Sequence, residues 1–435
     1  MTRIALRLPV VPLEAGTAAF AIAVVLLFFK VLHWSRRVPA GLKHPPSPPG
    51  AVPILGHSHI WKGELTSQPH QSQLVQWSRQ LGDIFYLRMG FENWFILGSP
   101  QSIKEVFDRH GAVTGTRDRR VANDFLSGGN RVIFMPYSKK WRSLRAIIHK
   151  CLNVKSVDVL KPSQDLESRQ YLNDILTDPQ NFLAHVKRYT VSVLIYATYG
   201  FRVLSLDDKI LHAIFRGTSK FGEVFATRLG ISDLEAAWVA GSMIEAGSDT
   251  TQLVLNSIIL GLVSFPEVVR KAQAELDTVV GNRMPEFSDF ASLPYIRAIV
   301  KEALRWRSPT NGFVRHNTIT FNPDRFLETR ALELSAGECI SASDVKDRDH
   351  FSFGAGRRVC PGYNLAENSL LLLTSRLLWG FNVKAWVDPI SHIKFEYDLW
   401  NYSSSLLFGP NDFPASFTVR SVEKERIIRA GITDF

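Results

Sequence analysis

The stretch "FSFGAGRRVCPGYNLAE", Phe351 to Glu367, places a cysteine in a glycine-rich turn just before a helical run. The thiolate is the metal-binding form of cysteine, and it must be held against protonation. Backbone N–H groups of a tight turn do this. Gly354, Gly356 and Gly362 permit such a turn and the close approach of a flat cofactor. Arg357 and Arg358 add positive charge beside Cys360. A guanidinium grips a carboxylate through two bonds. Phe353 offers an apolar ring for the cysteine face of a flat cofactor. The same residues also suit a buried, inert thiol, so the loop alone leaves both readings open.

Four other clusters carry chemistry by type and spacing. In "WRSLR", Trp141 and Arg145 are four apart and share one helix face, a pair of donors suited to a carboxylate. In "AGSDTT", Gly247 thins one wall of a long helix and lets a ligand approach. Thr250 offers a hydroxyl that can disturb the local ladder, and Asp249 can relay protons to it. "EALR" holds Glu302 and Arg305, and "FNPDRF" holds Arg325. Alone, these read as a basic surface helix, a helix kink and ordinary surface charges.

Together and in this order, the clusters resemble the cytochrome P450 family. The cysteine stretch matches the family's haem-binding loop, FGxGRRxCPG, at every fixed position. The resemblance implies that Cys360 is the axial thiolate ligand of a haem b iron, with Arg358 on a propionate. Trp141 and Arg145 resemble the WxxxR motif of helix C, which contacts a propionate. Ala246 to Thr251 resembles the oxygen-activating turn of helix I, with Asp249 and Thr250 as the proton-delivering pair and Ala246 and Gly247 against the haem. Glu302, Arg305 and Arg325 resemble the ExxR and FxPxRF residues, whose role is structural. His316 stands where the family often places a second propionate contact, with Arg315 as a rival. The implied reaction inserts one oxygen atom from O2 into a lipophilic small molecule. Electrons would come from NADPH through cytochrome P450 reductase, steered by basic residues that include Lys139 and Lys140. The Pro-rich hinge, the anchor and "ALRWRSP" resemble fungal members of secondary metabolism.

The elements that must position these residues are mostly helical. Helices are expected over 71–82, 100–111, 139–152, 165–200, 234–262, 266–280, 292–306 and 364–381. A strand pair is expected in "IFYLRMG" and "NWFILGS", with short strands in 382–422. Residues 116–138 read as loop. The fold class is mainly α with a small β component. The loops near 120–130, 308–314 and 404–410 are apolar enough for a lipophilic substrate.

Ala15 to Phe29 carries no charge, and with Lys30 snorkelling the apolar stretch extends to about twenty residues, near the length of a bilayer span. Arg36, Arg37 and Lys43 follow it, which places the C-terminal bulk in the cytoplasm. The expected organisation is a short segment over 1–12, a transmembrane anchor over 13–35, a basic Pro-rich hinge over 36–56 and a haem domain over 57–435. That makes a single-pass protein of the endoplasmic reticulum, partnered by membrane lipid. The net charge of +10 comes without a nucleic-acid motif, so no nucleic-acid partner is expected. Three scattered cysteines, Cys151, Cys339 and Cys360, exclude a disulfide framework and fit a reducing compartment.

The chain departs from the family in two intervals. Too few residues lie between Trp141 and Ala246, so much of the F–G region is missing. Too few lie between Glu302 and Arg325, so part of the sheet and the helix K′ region is missing. The alternatives to a monooxygenase are therefore a non-catalytic truncated remnant at the membrane and a haem-thiolate isomerase or dehydratase. The Asp249–Thr250 pair favours oxygen activation over both.

Overall fold

The structure is a computed structural model that describes residues 13–35, 38, 41–59, 70–119, 121–207, 232–309, 320–403 and 407–433. His316 and Arg315, the stretches 208–231 and 310–319 of the two short intervals, and part of each of the three substrate loops lie outside the described residues.

Helix α1 (Leu13–Ser35) precedes the body, and its residues 16–30 are all exposed. The Pro-rich segment after it is docked on the body. The backbone N–H of Tyr86 donates to the Pro46 carbonyl at 2.9 Å. Buried His57 accepts from the Arg88 N–H through Nδ1 (3.0 Å), which leaves Nε2 to donate to the Pro48 carbonyl (3.0 Å). Helix α2 (His70–Leu81) leads into the antiparallel pair β1 (Ile84–Met89) and β2 (Glu92–Leu97), where Trp77, Phe85 and Leu87 form a small satellite core.

Ser99 caps α3 (Pro100–Ile103) reciprocally with Ser102, and the helix widens into a π-turn over Lys104–Arg109. Short helices α4 (Gly111–Thr114) and α5 (Val121–Ser127) follow. The second lies where the sequence reads as loop. Its seven residues are too few for a periodic signal to stand out.

The main core is helical: α6 (Lys139–Leu152), α7 (Val154–Thr177), α8 (Phe182–Tyr199), α9 (Asp233–Ser264), α10 (Pro266–Val279) and α11 (Pro294–Trp306). Ser232 and Glu235 form a capping box that starts α9, and Pro266 restarts the chain as α10. After α12 (Ala336–Ser341), α13 (Tyr363–Gly380) runs through the centre of the core, with Leu372, Leu378 and Trp379 fully buried. Helix α9 packs most extensively on α8 and also meets α13 and α6. Strands β3 (Phe381–Lys384) and β4 (Ser416–Val419) pair antiparallel, and α14 (Val422–Thr433) closes the chain. The chain is thus mainly α with two small sheets among the described residues. Among those residues, no single helix is long and apolar enough to cross a membrane.

Candidate haem-thiolate site

The cysteine turn is built from its own backbone. Gly354 and Gly356 adopt φ of +75° and +61°, where a side chain would be strained. The Cys360 N–H donates to the Phe353 carbonyl at 2.7 Å, and Val359 N–H to the Gly356 carbonyl at 3.1 Å. Gly362, the N-cap of α13, brings its N–H close enough to the Cys360 sulfur to favour the thiolate. The sulfur therefore sits before the positive end of a helix, an arrangement that favours thiolate. Burial still pushes the free thiol's pKa up. The Gly362 N–H and the Arg145 charge only partly oppose it. A further positive partner, such as a metal ion, would complete the stabilisation.

Beside the sulfur lies a cationic edge. Trp141 and Arg145 project from one face of α6, as their spacing predicts, and Arg145 donates to the Val359 carbonyl. Arg358 donates from Nε to the Gly115 carbonyl (2.7 Å) and from Nη2 to the Met135 carbonyl (2.8 Å). Burial and the like charges of Arg117 and Arg145 bring the Arg358 pKa down to about 10. Among the described residues no carboxylate pairs with Arg145 or Arg358, and none accepts from the Trp141 indole N–H. Clustered guanidiniums without an anion form a seat for a dicarboxylate. Phe353 lies beside the turn, 5.4 Å from His350 and 6.4 Å from Tyr363 between ring centroids.

The α9 segment forms a separate cluster. Thr250 donates its hydroxyl to the Ala246 carbonyl at 2.6 Å, Ala246 is exposed and Asp249 is half-buried. Gly247 differs from the expectation of a thinned wall open to a ligand. A Cβ there would come within 2.8 Å of Leu194 on α8, so this glycine serves close helix packing, and Ala246 is the open side of the turn. Lys139 and Lys140 are both exposed, and Lys140 pairs with Glu235 at 3.1 Å and with Asn130 at 2.7 Å.

Glu302, Arg305 and Arg325 converge on one another. Arg305 grips fully buried Glu302 with two bonds, 2.6 Å from Nε and 2.8 Å from Nη2. Arg325 Nε lies 3.0 Å from Glu302 Oε2 as an ion pair without hydrogen-bond alignment. Asn322 N–H fills another site on the carboxylate at 2.8 Å. Ser352 then ties the start of the cysteine stretch to α11 through the Leu304 carbonyl at 2.5 Å. Sequence reasoning did not find Asn322 or Ser352, because neither type nor spacing marks them.

Among the described residues no three His, Cys, Asp or Glu side chains gather as a metal-ion site. A haem iron asks the protein for an axial ligand, not a cluster.

The family model for cytochrome P450 matches residues 45–229, 219–320 and 316–399. Its three pieces join at 219–229 and 316–320, inside the two short intervals. The cytochrome P450 monooxygenase verL of Clonostachys rogersoniana is 31% identical, with 94% of this chain and 92% of that protein covered. That alignment runs over 512 positions, more than the 435 residues of the chain, so it crosses segments that have no counterpart here. The cytochrome P450 monooxygenase fogE of Aspergillus ruber is 29% identical, with 94% and 93% covered. A zebra fish cytochrome P450 structure with abiraterone superposes with a TM-score of 0.62 at 20% identity, over 81% of this chain and all of that one. The chain belongs to the cytochrome P450 family, as a haem-thiolate monooxygenase of the fungal secondary-metabolism type.

Proposed function

We propose that Cys360 is the axial thiolate ligand of haem b, and that Arg358, Arg145 and Trp141 hold its propionates. The observation that supports this most is the cationic edge beside Cys360, where among the described residues no carboxylate pairs with Arg145 or Arg358 and no acceptor takes the Trp141 indole N–H. His316 is proposed as a further propionate contact from outside the described residues. Phe353 packs on the cysteine side of the ring, and Ala246 faces it from α9, with Gly247 supporting that turn from behind.

Bound haem supplies the oxygen-activating redox chemistry, and a thiolate ligand favours O–O cleavage. The chain's own groups do the rest. Thr250 holds a proton at Oγ1, kept in place by the Ala246 carbonyl. Asp249, half-buried one residue earlier, carries protons between solvent and that hydroxyl. Glu302, Arg305 and Arg325 keep the cysteine turn in place without touching the reaction. A lipophilic substrate enters from the Ala246 side. NADPH–cytochrome P450 reductase docks on the opposite side, at a face that includes exposed Lys139 and Arg142.

The exposed apolar residues 16–30 of α1 anchor the chain in the endoplasmic reticulum membrane, with the haem domain in the cytosol. Deleting residues 1–35 should move the protein from the alkali-resistant membrane pellet to the supernatant. An unchanged pellet fraction would remove the anchor reading.

The test of the site is the ferrous carbon monoxide spectrum of the purified chain. The long-wavelength Soret band of a thiolate ligand is expected, and Cys360→Ser should abolish it while Cys151→Ser leaves it. Absence of haem uptake by the unsubstituted chain sinks this reading.

A further inference from the structure

A carboxylate far from Cys360 in sequence closes the turn that carries it. Asp108 sits in the π-turn after α3. Its Oδ1 accepts the Gly356 N–H at 2.9 Å, and its Oδ2 accepts from Arg348 Nη1 at 2.7 Å. Arg348 is buried. It reaches on through Nη2 to the Gly354 carbonyl at 3.2 Å, and its guanidinium lies 4.6 Å from the Phe351 ring centroid. The ion pair thus holds the turn at both of its left-handed glycines.

The approach is close. A Cβ on Gly356 would stand 2.2 Å from the Phe107 carbonyl oxygen, so the π-turn and the cysteine turn meet backbone to backbone. A π-turn carries one extra residue per turn. Here the widened turn presents the Phe107 carbonyl and the Asp108 carboxylate to the same glycine. The Gly356 carbonyl then takes the Val359 N–H, one residue before the sulfur.

The geometry points to Asp108 as a positioning residue for the Cys360 thiolate, acting with Arg348 as a two-point clamp on Gly354 and Gly356. Asp108 does not touch a reacting atom. Its effect reaches the sulfur through the turn. The inference rests on Cys360 being the haem ligand, but the clamp has a readout that does not need haem.

The experiment compares the full chain with Asp108→Ala, Asp108→Asn and Arg348→Lys by hydrogen exchange and by the ferrous carbon monoxide spectrum. In Asp108→Ala, amides 354–360 should exchange about tenfold faster, the loss of a charge-assisted hydrogen bond, with α7 and α8 unchanged. The haem-loaded variant should shift several-fold toward the short-wavelength band of a protonated or displaced thiol. Asp108→Asn keeps an acceptor for Gly356 and should fall between. Unchanged exchange in 354–360, or faster exchange spread evenly over the chain, overturns the clamp. If the unsubstituted chain takes up no haem, the ligand reading fails, and exchange still decides whether Asp108 orders the turn. Should Asp108→Ala fail to fold, Arg348→Lys carries the test, because it keeps the charge and weakens the bond to Gly354.

Discussion

The guanidinium carbon of Arg358 lies 4.0 Å from the Trp141 ring centroid, so the two residues assigned to the propionate edge also support each other. A partly buried guanidinium over an indole contributes about 1 kcal/mol. Trp141→Phe keeps a ring under Arg358 but removes the N–H donor. Hydrogen bonds to a charged group contribute about 1.5–3 kcal/mol, so haem should transfer to an apo-globin acceptor roughly ten to a hundred times faster. Trp141→Ala removes both contacts and should be worse. Equal transfer rates for the unsubstituted chain and Trp141→Phe would take the indole off the propionates.

Glu302 is fully buried and faces two arginines. Removing one partner of a buried ion pair costs about 3–5 kcal/mol, because charge is left uncompensated. Glu302→Gln should therefore lower the unfolding midpoint sharply and leave most of the protein insoluble. Arg325→Lys should be milder, since Arg325 lacks an aligned hydrogen bond to the carboxylate. Thermal unfolding of the soluble fractions ranks the two, and the reverse order would contradict this geometry.

A second buried pair gives the stability a pH profile. Lys301 donates to Asp349 at 2.5 Å, with Cys339 3.7 Å from the ammonium and His350 and Glu367 close by. Burial pushes the Asp349 carboxyl up, yet His350 and Lys301 together hold it below the ordinary range. Burial pushes Lys301 down, yet Asp349 and Cys339 leave it above the ordinary amine range. A depressed carboxyl stabilises the fold above the ordinary carboxylate range, and this is lost as pH falls through its folded value. A raised amine stabilises below the ordinary lysine range, and this is lost as pH rises through its folded value. The pair should give a stability plateau between these limits. Asp349→Asn should lower the plateau and flatten its acid side, as read from unfolding midpoints against pH. An unchanged acid limb would show that Asp349 is not its source.

Much of this was legible in the sequence because motif spacing and fold geometry coincide. Trp141 and Arg145 share a face because they are four apart on a helix, and α6 spans the residues expected of it. The Cys360 turn was visible through Gly354 and Gly356. Other features were not. Asp108 carries no motif, and its role depends on a contact across 248 positions of chain. Helix α14 lies in a stretch read as strands up to 422 and left unassigned beyond, and its short charged sequence gives a weak periodic signal. Gly247 was read as an opening because its type permits one, whereas its neighbour Leu194 comes from a helix about fifty residues earlier.

The two short intervals carry the last prediction. A lid excludes water from a distal pocket, and a wet pocket lets reduced oxygen leak away unproductively. The family match joins its pieces inside the intervals, while the proximal turn, the cationic edge and the Glu302 cluster are all assembled. Haem capture should therefore depend little on the missing segments, and coupling should depend on them strongly. A chimera carrying the Clonostachys rogersoniana segments that the short intervals lack, inserted around 219–229 and 316–320, should bind a similar amount of haem per chain. With reductase and NADPH, it should release several-fold less peroxide per NADPH consumed. Haem content that rises steeply in the chimera would instead place the defect of the short chain in the proximal fold. Equal peroxide release would show that the short chain already closes its pocket.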